Sequence, residues 1–527
     1  MSDPQSRPRD SVAIETGKRR FFRNTAFSFG HQVVTMLTAL LLLPFMLWRL
    51  GPEKYGLWLT LQIFSMSGLV SLAELGFQSS IVRYLVKYHT ENRLDEFRRL
   101  LVTSFALFAA IGILISSSII LVGHEHFIAV FNIPAAFRVE MLTAFCVQVG
   151  GLAIGFPILA LKAFYSGTQK LGMLKSWEAG ERLVFALLAV PLLFITDRIL
   201  PVVLLEQAVI ATAFLSFLVL GRVRFREIFS INPKYASLQS LRRVAGMSGL
   251  VFLNSASWLV YLKIPDIVIG AVLGPVHLAY YTIINRIPRA LKAFQGSVNS
   301  AVMPFAVMLD SVDGGAEAKK SLVLKGMRFS FLVFVPISAI VLIYAEELLT
   351  LWVGQRYAFL GDQLRLFMLW QLTAFLVSFG GATFTKAEHY RRVVGLNFLV
   401  NVTFLILMFA LIYPYQLNGV LAALLVTGLA TTAITFNGIR QANGFSYGSF
   451  AKTVLLGPIL FSLVLGLALL GGAKAAWTRI GFEAGSAAFL LAGLLYLCAL
   501  LFFVLTRQER ELLAKLPKWR RKQAPFE

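Results

Sequence analysis

Two short stretches of this 527-residue sequence begin in the same way: LGPEKYGLW (Leu50–Trp58) and LGPVHLAYY (Leu273–Tyr281). We call them the first and the second LGP segment. They are 223 residues apart, and each lies between two long apolar runs. An even number of predicted spans separates them, so the repeat predicts two halves of six helices in parallel orientation. Parallel repeats are a transporter architecture in which the binding site lies between the halves near the bilayer midplane.

The composition is that of a polytopic membrane protein. Hydrophobic residues make up 57% of the chain and charged residues only 14%, with a mean hydropathy of +0.73. Soluble domains carry about 25% charged residues. The first 23 residues are polar and basic and the first apolar run is long, so we expect no cleavable signal peptide. Cys146 and Cys498 lie inside apolar runs and are expected to be buried thiols, not a disulfide or a metal site.

Fourteen apolar stretches reach roughly the 20 residues that cross about 30 Å of hydrocarbon. The predicted spans are Asn24–Arg49, Tyr55–Val82, Leu100–Val122, Val139–Phe164, Trp177–Thr196, Leu200–Gly221, Val244–Leu273, Val276–Leu309, Ser321–Tyr344, Gln363–Thr385, Val393–Tyr413, Leu417–Gln441, Thr453–Leu470 and Ala484–Thr506.

The basic residues sort to one side of this topology. Of 49 Lys and Arg residues, 37 lie on the side of the two termini, 8 on the opposite side and 4 within spans. This positive-inside distribution predicts that both termini are cytoplasmic. It also accounts for most of the net charge of +22, which therefore does not indicate nucleic-acid binding. The basic tail Lys515–Gln523 is expected to touch anionic lipid.

The predicted fold class is an all-α polytopic membrane protein of about 14 transmembrane helices, in two pseudo-symmetric six-helix lobes plus a C-terminal helix pair. The predicted divisions are a basic tail (1–23), a first lobe with helices 1–6 (24–221), a basic linker (222–243), a second lobe with helices 7–12 (244–441), helices 13–14 without a repeat partner (442–506) and a basic tail (507–527).

Predicted span eight carries three cations at a depth where charge is costly. Arg286 lies about 16 Å along the helix from Pro275, and Lys292 about 27 Å from Asp310. A charge at the bilayer centre costs at least about 2.5–3.5 kcal/mol, so these residues must face protein or water. One helical face collects the polar residues Thr282, Asn285, Arg289, Lys292, Gln295 or Gly296, and Asn299, with Arg286 beside it.

A diphosphate group explains this set of cations. Arg offers planar bidentate donors to phosphate oxygens and Lys a point charge. We therefore assign Arg286, Arg289 and Lys292 as candidate diphosphate-binding residues. The alternative is that the cations pair with buried acids; the candidates are Glu74, Glu206 and Asp266, of which Asp266 has Lys263 three residues away.

Other polar residues are predicted to line the same cavity or to couple and gate transport. For the serines and threonines the alternative is helix packing, and for His31 it is a packing histidine rather than a proton sensor. Lys263 and Asp266 could form a structural pair or a coupling site, and Glu74 and Arg83 a gate or a helix-end contact. The predicted lining residues are His31, Thr35, Asn254, Tyr261, Asn285, Gln295 and Asn299.

We find no catalytic constellation in the sequence. No Gly-rich phosphate loop ends in Lys-Ser/Thr, no nucleophile has an evident adjacent base, and no His, Cys and Asp cluster has metal-ligand spacing. We therefore predict a transporter rather than an enzyme, with no cofactor and with possible coupling to a proton or sodium gradient.

Two longer stretches carry a family resemblance. LGPEKYGLWLTLQIFSMSGLVSLAELGFQSSIVRY (Leu50–Tyr84) resembles the first-loop and second-helix pattern of polysaccharide transporters such as O-antigen flippases. The family's usual DLGL stands here as ELGF (Glu74–Phe77), which keeps the charge. DIVIGAVLGPVHLAYYTIINRI (Asp266–Ile287) is similar to the second-half counterpart. These transporters belong to the multidrug, oligosaccharidyl-lipid and polysaccharide exporter superfamily.

The resemblance implies a function in surface polysaccharide biosynthesis, such as lipopolysaccharide O-antigen or exopolysaccharide export. It implies alternating-access flipping of undecaprenyl-diphosphate-linked glycans across a bacterial inner membrane. Implied partners are the lipid-linked glycan, membrane lipids and a glycan polymerase or glycosyltransferase. Two alternatives stay open: a cation-coupled multidrug exporter of the same superfamily, and a membrane glycan ligase or transferase.

Overall fold

The computed structural model describes most of the chain. Its backbone account covers residues 7–68, 77–230, 232–237, 239–240, 262–310, 315–377, 387–454, 466–468, 470–475, 491–492 and 494–495. Side chains are described over the same ranges except residues 7–26, 77, 79, 233, 297–310 and 387–391.

Every regular element in these ranges is helical, which confirms the predicted all-α class; the count of about 14 spans and the division into lobes stay predictions. The helices are α1 (Arg7–Gln62), α2 (Phe77–Thr90), α3 (Leu94–Val130), α4 (Arg138–Gly150), α5 (Leu152–Gly167), α6 (Leu171–Ile195), α7 (Ile199–Arg224), α8 (Pro275–Asp310), α9 (Gly315–Ile343), α10 (Ala345–Val353), α11 (Gly361–Val377), α12 (Ala387–Asn443) and α13 (Tyr447–Phe450). Residues 262–268 are also helical and run into a π-helical turn, Ile269–Leu273.

Six of the described helical stretches are long and apolar enough to cross a bilayer. Large apolar side chains on them are exposed in the isolated chain, for example Leu121, Val139 and Ile406. Such exposure is costly in water but suits hydrocarbon. The chain is therefore a multi-pass membrane protein. The stretches are Phe27–Gln62, Leu94–Val130, Ala135–Gly167, Ile199–Arg224, Gly315–Ile343 and Arg392–Asn443.

The two LGP segments have the same backbone conformation at their glycines. Gly51 has φ 73° and ψ 171°, and Gly274 has φ 86° and ψ 176°. A positive φ is readily available only to glycine. Pro52 and Pro275 follow these glycines and begin new helical stretches, a position that suits proline because its missing N–H needs no partner there. Gly51 thus divides α1 into the parts predicted as spans one and two.

Predicted span two is not one continuous helix, contrary to expectation. α1 ends at Gln62, and residues 63–68 form turns in which the Gly68 N–H donates to the Ser65 carbonyl at 2.9 Å. Helical structure is described again from Phe77 in α2. Serine and glycine explain the break, since both favour turns over a helix interior. Hydropathy alone does not detect it.

Two other expectations changed in detail, and the predicted division between spans eleven and twelve agrees with the structure. Predicted span four is two helices, because the helix breaks at Gly151 between α4 and α5. The predicted outer loop Ala345–Asp362 is mostly helical, with α10 and a 3-10 helix at Gln355–Leu360. α12 contains predicted spans eleven and twelve, divided at Gln416, where φ is 48° and ψ is −129°.

The chain forms two compact units, which we describe separately. The first unit is Met1–Ala290 with Phe409–Val420, and the second is Leu291–Met408 with Leu421–Glu527. Aromatic rings fill the interior of the first unit, where Phe127 stacks on Phe145 at 4.3 Å and Phe64 meets Phe145 edge-on at 5.0 Å. In the second unit, Phe334 stacks on Phe375 at 4.4 Å.

Candidate functional site

The start of α8 is fixed within the first unit by contact between the two LGP segments. A β-carbon placed on Gly56 would lie 1.9 Å from the Pro275 carbonyl oxygen, so only glycine permits this backbone approach. From Pro275, α8 runs without interruption through Pro288 to Asp310. The contact fixes the first turn of α8, the helix that carries the three cations.

Arg289 forms an ion pair with an acid from the preceding helical segment. Its Nη2 lies 3.3 Å from Asp266 Oδ1, and the guanidinium lies 6.0 Å from the Tyr281 ring centroid. Lys263 is close enough to interact electrostatically with both charges, yet the direct partner of Asp266 is Arg289. Asp266 therefore pairs with Arg289 and not with Lys263 as expected. For Arg289, the alternative that the cations of α8 pair with acids is the one observed. Its side chain keeps 36% of its surface exposed.

Arg286 lies among buried polar groups that have few partners. Its guanidinium is beside the Tyr55 hydroxyl, without a hydrogen bond of good geometry between them, and Tyr55 stacks on Trp58 at 5.7 Å. Four donors here are buried with no hydrogen-bond partner among the described residues. They are Arg286 Nε, Asn285 Nδ2, Trp58 Nε1 and the Tyr55 hydroxyl.

Lys292 and Gln295 make their contacts in the second unit. The Lys292 ammonium lies 5.5 Å from the centroid of the Trp370 ring, within cation–π range. Gln295 is buried and its Nε2 lies 3.5 Å from the Phe375 carbonyl oxygen, a long hydrogen bond. Trp370 packs closely on Gly428, where a β-carbon would lie 2.3 Å from the indole. The aromatic support of Lys292 is therefore firmly placed.

His31 of α1 lies next to a charge cluster that sequence reasoning missed. Its Nε2 is 3.8 Å from Glu178 Oε2, and Glu178 also pairs with Lys162 at 3.1 Å and Lys175 at 2.7 Å. The charges beside His31 come from α5 and α6, and its role as a lining residue stays a prediction. The predicted lining residue Thr35 has a buried hydroxyl with no partner in the described part of the chain.

A second missed feature is a set of amide and acid contacts between α1, α4 and α7. Gln62 Nε2 donates to Glu206 at 2.6 Å, and Gln207 donates to Gln148 at 3.0 Å. The sequence does show four long polar side chains inside apolar spans. Their pairing could not be predicted, because Gln148 and Gln207 are 59 positions apart and Gln62 and Glu206 are 144 positions apart.

Several predicted site residues lie outside the described part of the chain. Asn254, Tyr261, Asn299 and Glu74 lie outside the residues whose side chains the structure describes. Arg83 is exposed on α2, so the proposed gate with Glu74 stays a prediction.

In the first unit, the described part of α8 carries Arg286 and Arg289, with unsatisfied donors on α8 and α1 and with one carboxylate, Asp266, beside Arg289. Such a set can bind an anion with several oxygen atoms, because guanidinium, amide, indole and hydroxyl groups all donate hydrogen bonds.

Comparison with known proteins gives the family. The family model described as "Polysaccharide biosynthesis protein" matches residues 21–309. A putative O-antigen transporter of Shigella flexneri is 22% identical over 338 residues, covering 62% of this chain and 75% of that protein.

Solved structures agree on the fold. Lipid II flippase MurJ in an inward closed conformation superposes with a TM-score of 0.64 at 12% identity, covering 90% of this chain and 99% of that one. An inward-facing multidrug resistance MATE family transporter of the MOP superfamily gives 0.56 at 13% identity, covering 82% and 95%. The family-model match extends over more than half of the sequence, and the chain belongs to the polysaccharide biosynthesis protein family.

Proposed function

We propose that this protein flips an undecaprenyl-diphosphate-linked oligosaccharide or polysaccharide repeat unit from the cytoplasmic to the outer leaflet of the bacterial inner membrane. Transport proceeds by alternating access with both termini cytoplasmic. Family membership and the likeness to an O-antigen transporter support a lipid-linked glycan as cargo. The chemistry of α8 supports a diphosphate as the group that the protein must shield.

The carrying observation is that two buried donors on α8, Arg286 Nε and Asn285 Nδ2, have no hydrogen-bond partner among the residues that the structure describes. An unsatisfied buried donor costs about 1–3 kcal/mol. Diphosphate oxygens are acceptors that remove this cost when the substrate is present. The adjacent Arg289 and Lys292 supply charge, and their spacing of three residues keeps them on one side of the helix.

Asp266 has a specific place in this proposal. Its carboxylate pairs with Arg289 at 3.3 Å. A diphosphate then competes with Asp266 for the guanidinium, and the released carboxylate becomes available to a proton or a sodium ion. Substrate binding and ion binding would thus be linked through one arginine. Asp266→Asn is expected to make transport independent of the ion gradient, and a wild-type protein that transports equally well without any gradient would remove the coupling role.

The test of the main proposal is translocation of a lipid-linked diphosphate glycan in proteoliposomes. Arg289→Gln combined with Lys292→Gln should abolish translocation while the purified protein stays folded, as judged by size-exclusion chromatography. The matched control is Lys87→Gln with Arg99→Gln, which removes two charges from exposed positions on α2 and α3. Translocation by the α8 double variant at the wild-type rate would overturn the assignment.

The second candidate is export of small organic cations, which the MATE-like fold favours. Cationic residues on α8 disfavour it, because like charges repel. The Arg289→Gln and Lys292→Gln variant separates the two functions. Increased efflux of a cationic dye by this variant would support drug export. Loss of glycan flipping without dye efflux supports the flippase.

A further inference from the structure

A cleft of about 850 Å³ opens at the arginine-rich end of α7, in the first unit and away from α8. Arg222 from the last turn of α7 and Arg226 from the turn after it line one part. Val219, Val223 and Phe229 line another. The cleft therefore joins a cationic wall to an apolar wall.

The wall beyond α7 is held in place by aromatic packing. Phe229 is buried and meets Phe164 edge-on at 5.1 Å, and its ring leaves no room for a β-carbon on Gly221. The turn is also held from α3, because Arg98 Nε donates to the Glu227 carbonyl oxygen at 3.1 Å. The cleft is thus a formed feature of the fold rather than a gap between free side chains.

Neither Arg222 nor Arg226 has an ion pair or hydrogen bond within the described ranges, in contrast to Arg93 and Arg98, which pair with acids. An arginine at a helix C-terminus can serve the helix dipole without a partner. That explanation covers Arg222 but not Arg226, which lies beyond the end of α7 at Arg224. Two unpaired guanidinium groups in one cleft are a ready site for a phosphate group, which arginine binds in bidentate fashion.

The apolar wall identifies the kind of phosphate compound. Val219 and Val223 are 59% and 65% exposed, on a helix that is apolar enough to span the membrane. They place hydrocarbon contact directly beside the guanidinium groups. We propose that this cleft binds an anionic phospholipid of the adjoining leaflet, with the phosphodiester between Arg222 and Arg226 and an acyl chain along Val219 and Val223.

The test measures phosphatidylglycerol retained by the purified full-length protein in native mass spectrometry, with phosphatidylcholine as the neutral comparison. Arg222→Gln with Arg226→Gln should weaken phosphatidylglycerol binding at least fivefold. Ser230→Trp, which fills the cleft without changing the charge, should do the same. The control Arg224→Gln with Lys234→Gln removes two exposed charges outside the cleft lining and should change binding less than twofold.

Three outcomes would overturn the proposal. Equal weakening in the control pair would show that phosphatidylglycerol is held by the general positive charge. Full binding in folded Ser230→Trp would show that the cleft is not occupied. Displacement of phosphatidylglycerol by millimolar inorganic phosphate would show a site for free phosphate instead of a lipid headgroup.

Discussion

The two LGP segments begin with one backbone conformation and then lead to different helices. After Gly51 the helical stretch ends at Gln62, within eleven residues, and holds no charge beyond its first turn. After Gly274 the chain continues as α8 for 36 residues and carries the three cations. The repeat thus supplies a common turn, whereas the cations that we propose to bind the substrate are present in one copy only.

The difference extends to individual positions. At the offset of 223 residues, Asp266 and Arg289 correspond to Leu43 and Met66, so the ion pair of the second copy has apolar counterparts in the first. Gly56 corresponds to Ala279, which is fully buried with its β-carbon in place. Two copies of one scaffold can therefore diverge in charge and in packing while their turns stay alike.

Gly56→Ala should produce the largest loss of stability, because it blocks the contact between the two segments. The new β-carbon would overlap the Pro275 carbonyl, and backbone cannot yield as a side chain can. Overpacking costs about 1–3 kcal/mol and more when backbone must shift. Thermal unfolding of the purified protein measures the change.

Gly30→Ala is the matched control for this substitution, since a β-carbon at Gly30 meets nothing within 4 Å. It lies inside α1 and should stabilise the helix by roughly 0.5–1 kcal/mol. If Gly56→Ala unfolds at the wild-type temperature, the two segments do not pack in the way described.

Gly51→Ala and Gly274→Ala test whether the two turns are equivalent. Neither new β-carbon would meet an atom within 4 Å, so the cost is that of a positive φ alone, about 1–2 kcal/mol. The expected result is two losses of similar size in thermal unfolding. If one substitution lowers the unfolding temperature clearly more than the other, different interactions maintain the shared conformation in the two copies.

Converting the second copy to the first at the ion pair separates stability from function. Asp266→Leu with Arg289→Met gives the residues found at positions 43 and 66. Replacing a buried ion pair with apolar residues is often neutral or stabilising, whereas removing one partner leaves an uncompensated charge. We expect the double variant to unfold near the wild-type temperature and Asp266→Leu alone to be destabilised by about 1–3 kcal/mol.

Transport by the same double variant completes the test. The proposed flippase function requires its glycan translocation to be lost although the fold is intact. Retained translocation would assign the ion pair to structure only, and a double variant less stable than Asp266→Leu alone would contradict the pairing itself.

The sequence predicted what depends on local pattern. Apolar length indicated an all-helical membrane protein, and the repeated Leu-Gly-Pro indicated the two connections between spans, because glycine readily adopts a positive φ and proline suits the start of a helix. The helix break after Gln62 was missed, since a few serines and a glycine hardly change the hydropathy of a long window.

Contacts between distant residues were harder to predict. The spacing of three residues suggested Lys263 for Asp266, but the folded chain brings Arg289 from 23 residues away. The Glu178 cluster draws on α1, α5 and α6, so its members are adjacent only after packing. Lys162 and Lys175 are two of the 37 basic residues predicted on the side of the termini, and that count gives no information about their shared partner.

The smallest expected effect concerns Lys54 of the first LGP segment, which pairs with Asp197 on the surface. Its counterpart in the second segment, His277, instead has Nδ1 2.9 Å from the Leu273 carbonyl of its own segment.

The hydrogen bond and charge of Lys54 hold the pKa of Asp197 below its ordinary value. The folded pKa is then lower than the unfolded pKa, so the contribution is complete above the unfolded pKa and is lost as pH falls through the folded one. Asp197→Asn should therefore lower the unfolding temperature slightly and equally from pH 6 to 8, with the difference closing below about pH 4. A difference that persists in acid would mean that the effect does not come from the charge of Asp197, because protonated Asp and Asn are both neutral and have nearly the same shape.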